Sequence, residues 1–210
     1  MHPFLTRLDV KPEVQAYFAP YYYRDASGDL CFDYGGDFEH FGFAFHRLPA
    51  VSNFWMAGNL NFSQVSKVII CPSALEAIAW LQHHWLNFSD TGSLLFLSAG
   101  TSLSVEHVSC LREHLPCKHF VLAFGRELLG KLTAIKLAAG IRGQQLHIAC
   151  LSEEKVQILF RGRNFLFNPD TLSLNVLEKA AGFRFRVTIS NPKNFNSFFD
   201  QLMAGAGLAF

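Results

Sequence analysis

The chain has no long apolar run. Nothing in its 210 residues approaches the ~18–20 consecutive apolar positions of a membrane-spanning helix, so no membrane partner is expected. It opens MHPFLTRLDVKPEV, without a basic stretch leading into an apolar one, which predicts no secretory leader. An excess of one charge sign is also missing. The 18 Lys and Arg stand against 17 Asp and Glu, for a formal net charge of +1. That excludes a general nucleic-acid coat protein and leaves room for a local basic patch. The five cysteines (Cys31, Cys71, Cys110, Cys117, Cys150) are odd in number and scattered. They predict free thiols in a reducing cytoplasm rather than a disulfide framework. There is no Walker-type phosphate loop, and Gly140-Ile141-Arg142-Gly143 reads as a helix stop. No Ser, His and Asp arrangement stands out.

What is present is a core. Half the chain is hydrophobic and 22 residues are Phe, which excludes disorder. Residues 1–60 carry four basic against seven acidic side chains, while 61–150 and 151–210 each carry seven against five. The mild basic character therefore lies away from the N-terminus.

Residues 1–60 read as a small antiparallel β element. LCFDYGG alternates Leu30, Phe32 and Tyr34 with Cys31 and Asp33; FGFAFHR alternates Phe41, Phe43 and Phe45 with smaller residues. From about Val65 strands and helices alternate. VSKVIIC, GSLLFLSAG, KHFVLAFG and QLHIACL are expected strands; SALEAIAWLQHHWL, SVEHVSCLREHL and ELLGKLTAIKLAAG are the helices between them. Ser73 is an expected N-cap, with Glu76 at the capping-box position. Near-continuous apolar strands joined by helices predict a parallel sheet covered on both faces. After Leu151, KVQILFRGRNFLFNPDTLSLNV reads as a β-hairpin with Asn168-Pro169-Asp170 near its turn. LEKAAG is a short helix. GFRFRVTI is a strand with Phe183, Phe185, Val187 and Ile189 on one face. NFNSFFDQLM is a last helix, followed by an apolar, Gly-containing tail.

Four segments carry a resemblance: IICPSALEAIAW, FLSAG, VLAFGRELLGK and NPKNFNSFF. Their order, spacing and hydrophobic frame resemble the Toprim domain of bacterial primases, topoisomerases and some nucleases, in its primase-like, mobile-element branch. The resemblance implies a Toprim-like α/β fold at 61–210. It would have a mostly parallel four-stranded sheet flanked by helices, an N-terminal antiparallel β element at 1–60, and a β-hairpin insertion at about 155–176. The family's carboxylates hold Mg²⁺, which takes oxygen ligands, and one acts in phosphoryl transfer. Here the family's Glu falls on Pro72, the next Asp on Glu76, the Asp-x-Asp pair on Gly125 and Glu127, and the last Asp on Asn194. Arg126 places a positive charge where it opposes a divalent cation. The resemblance therefore implies a degenerate site with no cofactor.

Three functions stay open. One is a binding or scaffolding component of a DNA-processing system, holding DNA, RNA or another DNA-processing protein. The second is a residual Mg²⁺-dependent nucleotidyl-transfer enzyme or nuclease using Glu76 and Glu127. The third is a protein-interaction module without nucleic acid. Gly125 also has a plain reading as a tight-turn residue, and Glu127 as an acid in a first helical turn. For nucleic acid, the expected contacts are Arg126 and a patch of Arg161, Arg163, Arg184 and Arg186, with interleaved aromatics as stacking platforms. A solvated sheet edge is the competing account of those arginines.

Other chemistry-bearing residues read as structural. His107, Cys110, His114 and Cys117 suit zinc by type. On one helix, however, the first and last lie about 15 Å apart at 1.5 Å per residue, so they are expected as a solvent-side stripe. His83 and His84 are expected beside Trp80 and Trp85 at a helix end, and Cys71 as a buried thiol.

Overall fold

The computed structural model describes residues 1–42 and 44–208. Two short helices come first, α1 (Pro3–Arg7) and α2 (Pro12–Phe18). Each opens on Pro, whose missing N–H is no loss in a first turn. Strands β1 (Tyr23–Arg24), β2 (Leu30–Asp33), β3 (Phe38–Gly42) and β4 (Phe45–Arg47) form a four-stranded antiparallel sheet in that order. FGFAFHR is thus two strands rather than one. The chain reverses between Gly42 and Phe45, which are register partners. A Phe at every second position alternates equally well on either arm of a hairpin, so the pattern hides the reversal. Phe43 lies outside the described residues, as do Ala209 and Phe210 of the expected tail.

The second sheet organises the molecule. It contains β5 (Trp55–Gly58), β6 (Lys67–Cys71), β7 (Leu94–Ser98), β8 (His119–Leu122) and β12 (Thr188–Ile189), in the order β12-β8-β6-β7-β5. Four strands run parallel, and β5 is an antiparallel edge. Helices α3 (Ala74–His84), α4 (Val105–His114) and α5 (Leu128–Ile141) make the connections. The strands are buried on both faces, as their near-continuous apolar sequence requires. Ile69, Cys71, Phe96, Val121 and Ala123 face one core with α2, α3, β2 and the last helix, α7 (Phe198–Gly205). Val68, Ile70, Leu95, Leu97, Phe120 and Leu122 face the other, with α4 and α5. The first 60 residues share the first core and lend β5 to this sheet.

QLHIACL is not the fourth parallel strand. It is β9 (Leu146–Ser152), paired antiparallel with β10 (Lys155–Phe160), which pairs with β11 (Arg163–Phe167). Its inward residues Leu146 and Ile148 alternate with exposed ones, a half-covered pattern that suits an antiparallel sheet. The fourth parallel place goes to β12. The β10–β11 turn is Arg161-Gly162, both at positive φ, as a two-residue type I′ hairpin requires. Asn168-Pro169-Asp170 instead follows β11 and leads into α6 (Leu174–Ala181). GFRFRVTI is a strand only at Thr188–Ile189. Arg186 has a φ of 53°, and Phe185 N donates to Glu178 Oε1 at 2.8 Å, so this backbone bonds to a side chain and not to a sheet. Phe185 is buried nonetheless, and Phe183, Val187 and Ile189 pack against the same core.

His107 corrects a further expectation. It is buried, bonded through Nδ1 to Ser104 and through Nε2 to Asn53 O at 3.1 Å, while Val105 is exposed. The helix face is set by a capping box at its start, not by the count of apolar residues. His84 stacks on Trp80 with ring centroids 4.2 Å apart, as its place at the end of α3 predicts. Among the described residues no helix is long and apolar enough to cross a membrane.

Candidate functional site

The chain leaves β6 toward β7 on one side, and β8 lies on the other. The carboxyl ends of β6 and β8 therefore bracket the topological switch point where open α/β sheets place their ligands. Here Cys71-Pro72-Ser73 leads into α3, and Phe124-Gly125-Arg126-Glu127 leads into α5. The segment before α7 runs between them. Arg126 N donates to Asn196 O at 2.9 Å, and Arg126 Nη1 donates to Lys193 O at 2.5 Å. Gly125 has a φ of 81°, and a Cβ there would lie 2.5 Å from Asn196 O. Only glycine permits this turn and this approach together.

Two buried carboxylates sit at helix N-termini in the crevice. Glu76 points away from its own helix. Its Oε2 accepts from Phe198 N at 3.0 Å and its Oε1 from Phe199 N at 3.2 Å, at the start of α7. It therefore does not close a capping box on α3. Ser73 alone caps that helix with a side chain from within, accepting from Glu76 N at 3.1 Å. Burial pushes the Glu76 carboxyl up to about 7, against the hydrogen bonds from Ser197, Phe199 and Phe198, which pull it down.

The second carboxylate comes from the N-terminal sheet. Glu39 on β3 is wholly buried and accepts from Ala74 N at 2.7 Å and Leu75 N at 3.3 Å, the first amides of α3. Tyr34 donates its hydroxyl to Glu39 Oε2 at 2.8 Å and also lies 2.7 Å from Ser98 Oγ. His46 Nε2 is 2.9 Å from Glu39 Oε1. Burial first, then the Glu39 charge, pushes the Tyr34 phenol far up, so it stays a neutral donor. Cys71, fully buried beside both acids, is likewise pushed up by burial and remains a thiol. Sequence reasoning missed Glu39, Tyr34, Ser98 and His46. A signal existed: Glu39 shares its strand face with Phe41, and a charge in an inward register needs a partner.

The structure does not bring Glu76 and Glu127 into one ligand set. Glu127 is exposed as the N-cap of α5, makes no side-chain cap bond, and belongs to no cluster of metal-ligating groups among the described residues. Beside it lies a cavity of about 300 Å³ at the ends of β8 and β12. Its polar lining is Arg126, Lys131, Ser173, Asn175 and Asn191, and among the described residues no acidic side chain lines it. Lys131 Nζ is steadied by Pro169 O and Asp170 O at 3.0 and 2.9 Å.

The four hairpin-region arginines do not lie on two paired strands, since Arg184 and Arg186 precede β12. Arg161 is in the turn, its guanidinium over the Phe183 ring at 5.4 Å. Arg163 on β11 lies over Phe165 at 5.1 Å. Arg161 and Arg163 line one small cleft with Phe160 and Phe165. Arg184 pairs with Glu178 at 2.7 Å, which neutralises it, and Arg186 is exposed beyond it.

Compared with protein-family models, curated proteins and solved structures, the chain gives no match in any of the three.

Proposed function

We propose that this chain is a binding or scaffolding protein that works without catalytic Mg²⁺, holds a phosphate-bearing partner, single-stranded or duplex nucleic acid, and does no chemistry on it. The observation that carries the reading is the engagement of Glu76. Both of its oxygens accept amide hydrogens at the start of α7 in a buried position, so Mg²⁺ at the Toprim-like metal position would have to share or displace the bonds that hold α7. The acid-free cavity with Arg126 and Lys131 supports an anionic ligand, because cations without carboxylate neighbours attract phosphate oxygens. The Arg161–Arg163 cleft, with guanidiniums over aromatic rings, offers a second contact of the same kind. A degenerate Toprim-like protein of a primase-type system is the context in which such a site makes sense.

The test is fluorescence anisotropy of labelled single-stranded and duplex DNA, at low and moderate salt, with Mg²⁺ and with chelator. Binding that weakens with salt, ignores the chelator and falls in Arg126→Ala supports the reading. Binding or cleavage that requires the metal overturns it in favour of an enzyme. No binding in any condition overturns it in favour of a protein-interaction module.

A further inference from the structure

The N-terminal sheet carries a cluster that the crevice does not use. Cys31 on β2 stands opposite Tyr23 on β1 and His40 on β3, so Cys31 and His40 share a face. Leu30, Phe32 and Glu39 turn the other way, toward the core. The β1–β2 turn adds two carboxylates over the same face. Asp25 Oδ1 accepts from Ser27 N and Asp29 N, both at 2.9 Å, which fixes the turn. Asp25 Oδ2 then lies 3.1 Å from His40 Nε2, and Asp29 Oδ2 lies 3.6 Å from the same nitrogen. Gly42 makes room, since a Cβ there would lie 2.7 Å from Asp29 Oδ2. One ligand atom each of Asp25, Cys31 and His40 lies within 4.8 Å of the others.

His40 Nε2 is shielded from water, and among the described residues no hydrogen bond reaches it. The Asp25 oxygen is near enough for an ion pair but is not aligned as a hydrogen-bond acceptor. The nitrogen is held by ion-pair proximity to two carboxylates, with the thiol of Cys31 close by. The donor set of imidazole, thiol and two carboxylates is that of Zn²⁺, whereas Mg²⁺ and Ca²⁺ take oxygen ligands. Ligands held at about 2.0–2.3 Å in a tetrahedron stand roughly 3.3–3.8 Å apart; His40 Nε2 stands 3.1 and 3.6 Å from the two carboxylates, and Cys31 lies within 4.8 Å of Asp25 and His40. Arg47 stands on the same face opposite His40, but its charge is paired with Asp37 at 2.8 Å.

We propose that Asp25, Cys31 and His40, joined by Asp29 from its place beside His40, form a structural zinc site that fastens the β1–β2 turn to β3. Four protein ligands leave no open position, which marks a structural rather than a catalytic metal. His40 and Glu39 are neighbours on β3 facing opposite ways, so the metal stiffens the strand that delivers Glu39 to α3.

The test is titration of the chelator-stripped full chain with Co²⁺, read by absorption, followed by displacement with Zn²⁺. One equivalent is expected, with strong tetrahedral d–d bands and a thiolate-to-cobalt charge-transfer band. Cys31→Ser should abolish the charge-transfer band and weaken Zn²⁺ binding by at least ~10-fold against a chromophoric chelator, since even outer-shell changes lose that much. The Cys117→Ser/Cys150→Ser variant changes two exposed thiols and should keep the band. If Cys31→Ser does not fold, Asp29→Asn is read in its place and should show the same loss of affinity. A wild type without the charge-transfer band overturns the site. So does a band that survives Cys31→Ser, a band lost with the surface thiols, or an Asp29→Asn affinity equal to wild type.

Discussion

Replacing Glu39 by Ala is expected to be among the most damaging single changes in the crevice. Its carboxylate accepts from two backbone amides of α3, the Tyr34 hydroxyl and His46. In Glu39→Ala, Tyr34 keeps Ser98 Oγ at 2.7 Å, and the His46 side chain, 30 % exposed, turns to water. The Ala74 and Leu75 amides are left buried with no acceptor. Each such orphan costs about 1–3 kcal/mol, so the loss from the two is roughly 4 kcal/mol. For a chain of this size that lowers Tm by roughly 8–16 °C. Glu39→Gln keeps one acceptor and should lose about half as much. Ser73→Ala removes one cap bond of the same helix and should lose about 1 kcal/mol. Urea unfolding followed by tryptophan fluorescence reads all three, since Trp55 and Trp80 are buried. A Glu39→Ala protein within about 1 kcal/mol of wild type would refute the claim that this carboxylate holds the start of α3.

Glu76 makes stability pH-dependent. Its folded-state value is raised from 4.5 to about 7, so the native state holds the proton longer than the unfolded chain. Its contribution is full below 4.5 and is lost as pH rises toward 7, by at most roughly 3 kcal/mol at about 1.4 kcal/mol per pH unit. Urea midpoints from pH 4.5 to 7.5 should show this slope in wild type, and Glu76→Gln should flatten it. Gly125→Ala forces a side chain into positive φ and against Asn196 O, so a loss of roughly 1–3 kcal/mol from strain is expected before the clash is counted; a Tm unchanged within error would disprove that. In the DNA titration, Arg161→Ala/Arg163→Ala should reduce both affinity and salt slope if the hairpin cleft touches the backbone, and an unchanged slope would remove that cleft from the interface.

The alternation of strand and helix from Val65 was legible because each element carries its own local signal. β6 and β7 are apolar without interruption, and α3 opens on Ser73. The membership of β9 was not legible. Seven mixed residues after a helix fit either sheet, and the choice falls to a tight turn back into β10. The arginine alternation of GFRFRVTI misled for a related reason. Period two marks a strand only when the backbone finds a neighbour, and here Glu178 takes the Phe185 amide. At the candidate site, Gly125 was legible as a tight-turn residue, whereas Glu76 was legible as a position but not as a role. The role of Glu76 depends on Phe198 and Phe199, more than a hundred residues away, and that of Glu39 on Ala74. Long-range hydrogen bonds of this kind leave no periodic trace in a single chain.

The placement of these acids also fixes where an anionic ligand would enter. A helix N-terminus attracts phosphate through its open amides and its dipole. At α3 Glu39 already occupies those amides, and at α7 Glu76 does. A phosphate approaching the β6 side of the crevice would meet two buried carboxylates and no open donors. At α5 the N-cap Glu127 makes no side-chain cap bond and points to solvent, and the neighbouring cavity presents Arg126 and Lys131 with no acid in its wall. For the proposed anionic ligand, the charge pattern therefore favours the β8–β12 side over the β6–β8 side. A ligand held there touches Arg126, whose backbone is tied to Asn196, so contact at the cavity bears directly on the loop that Glu76 caps.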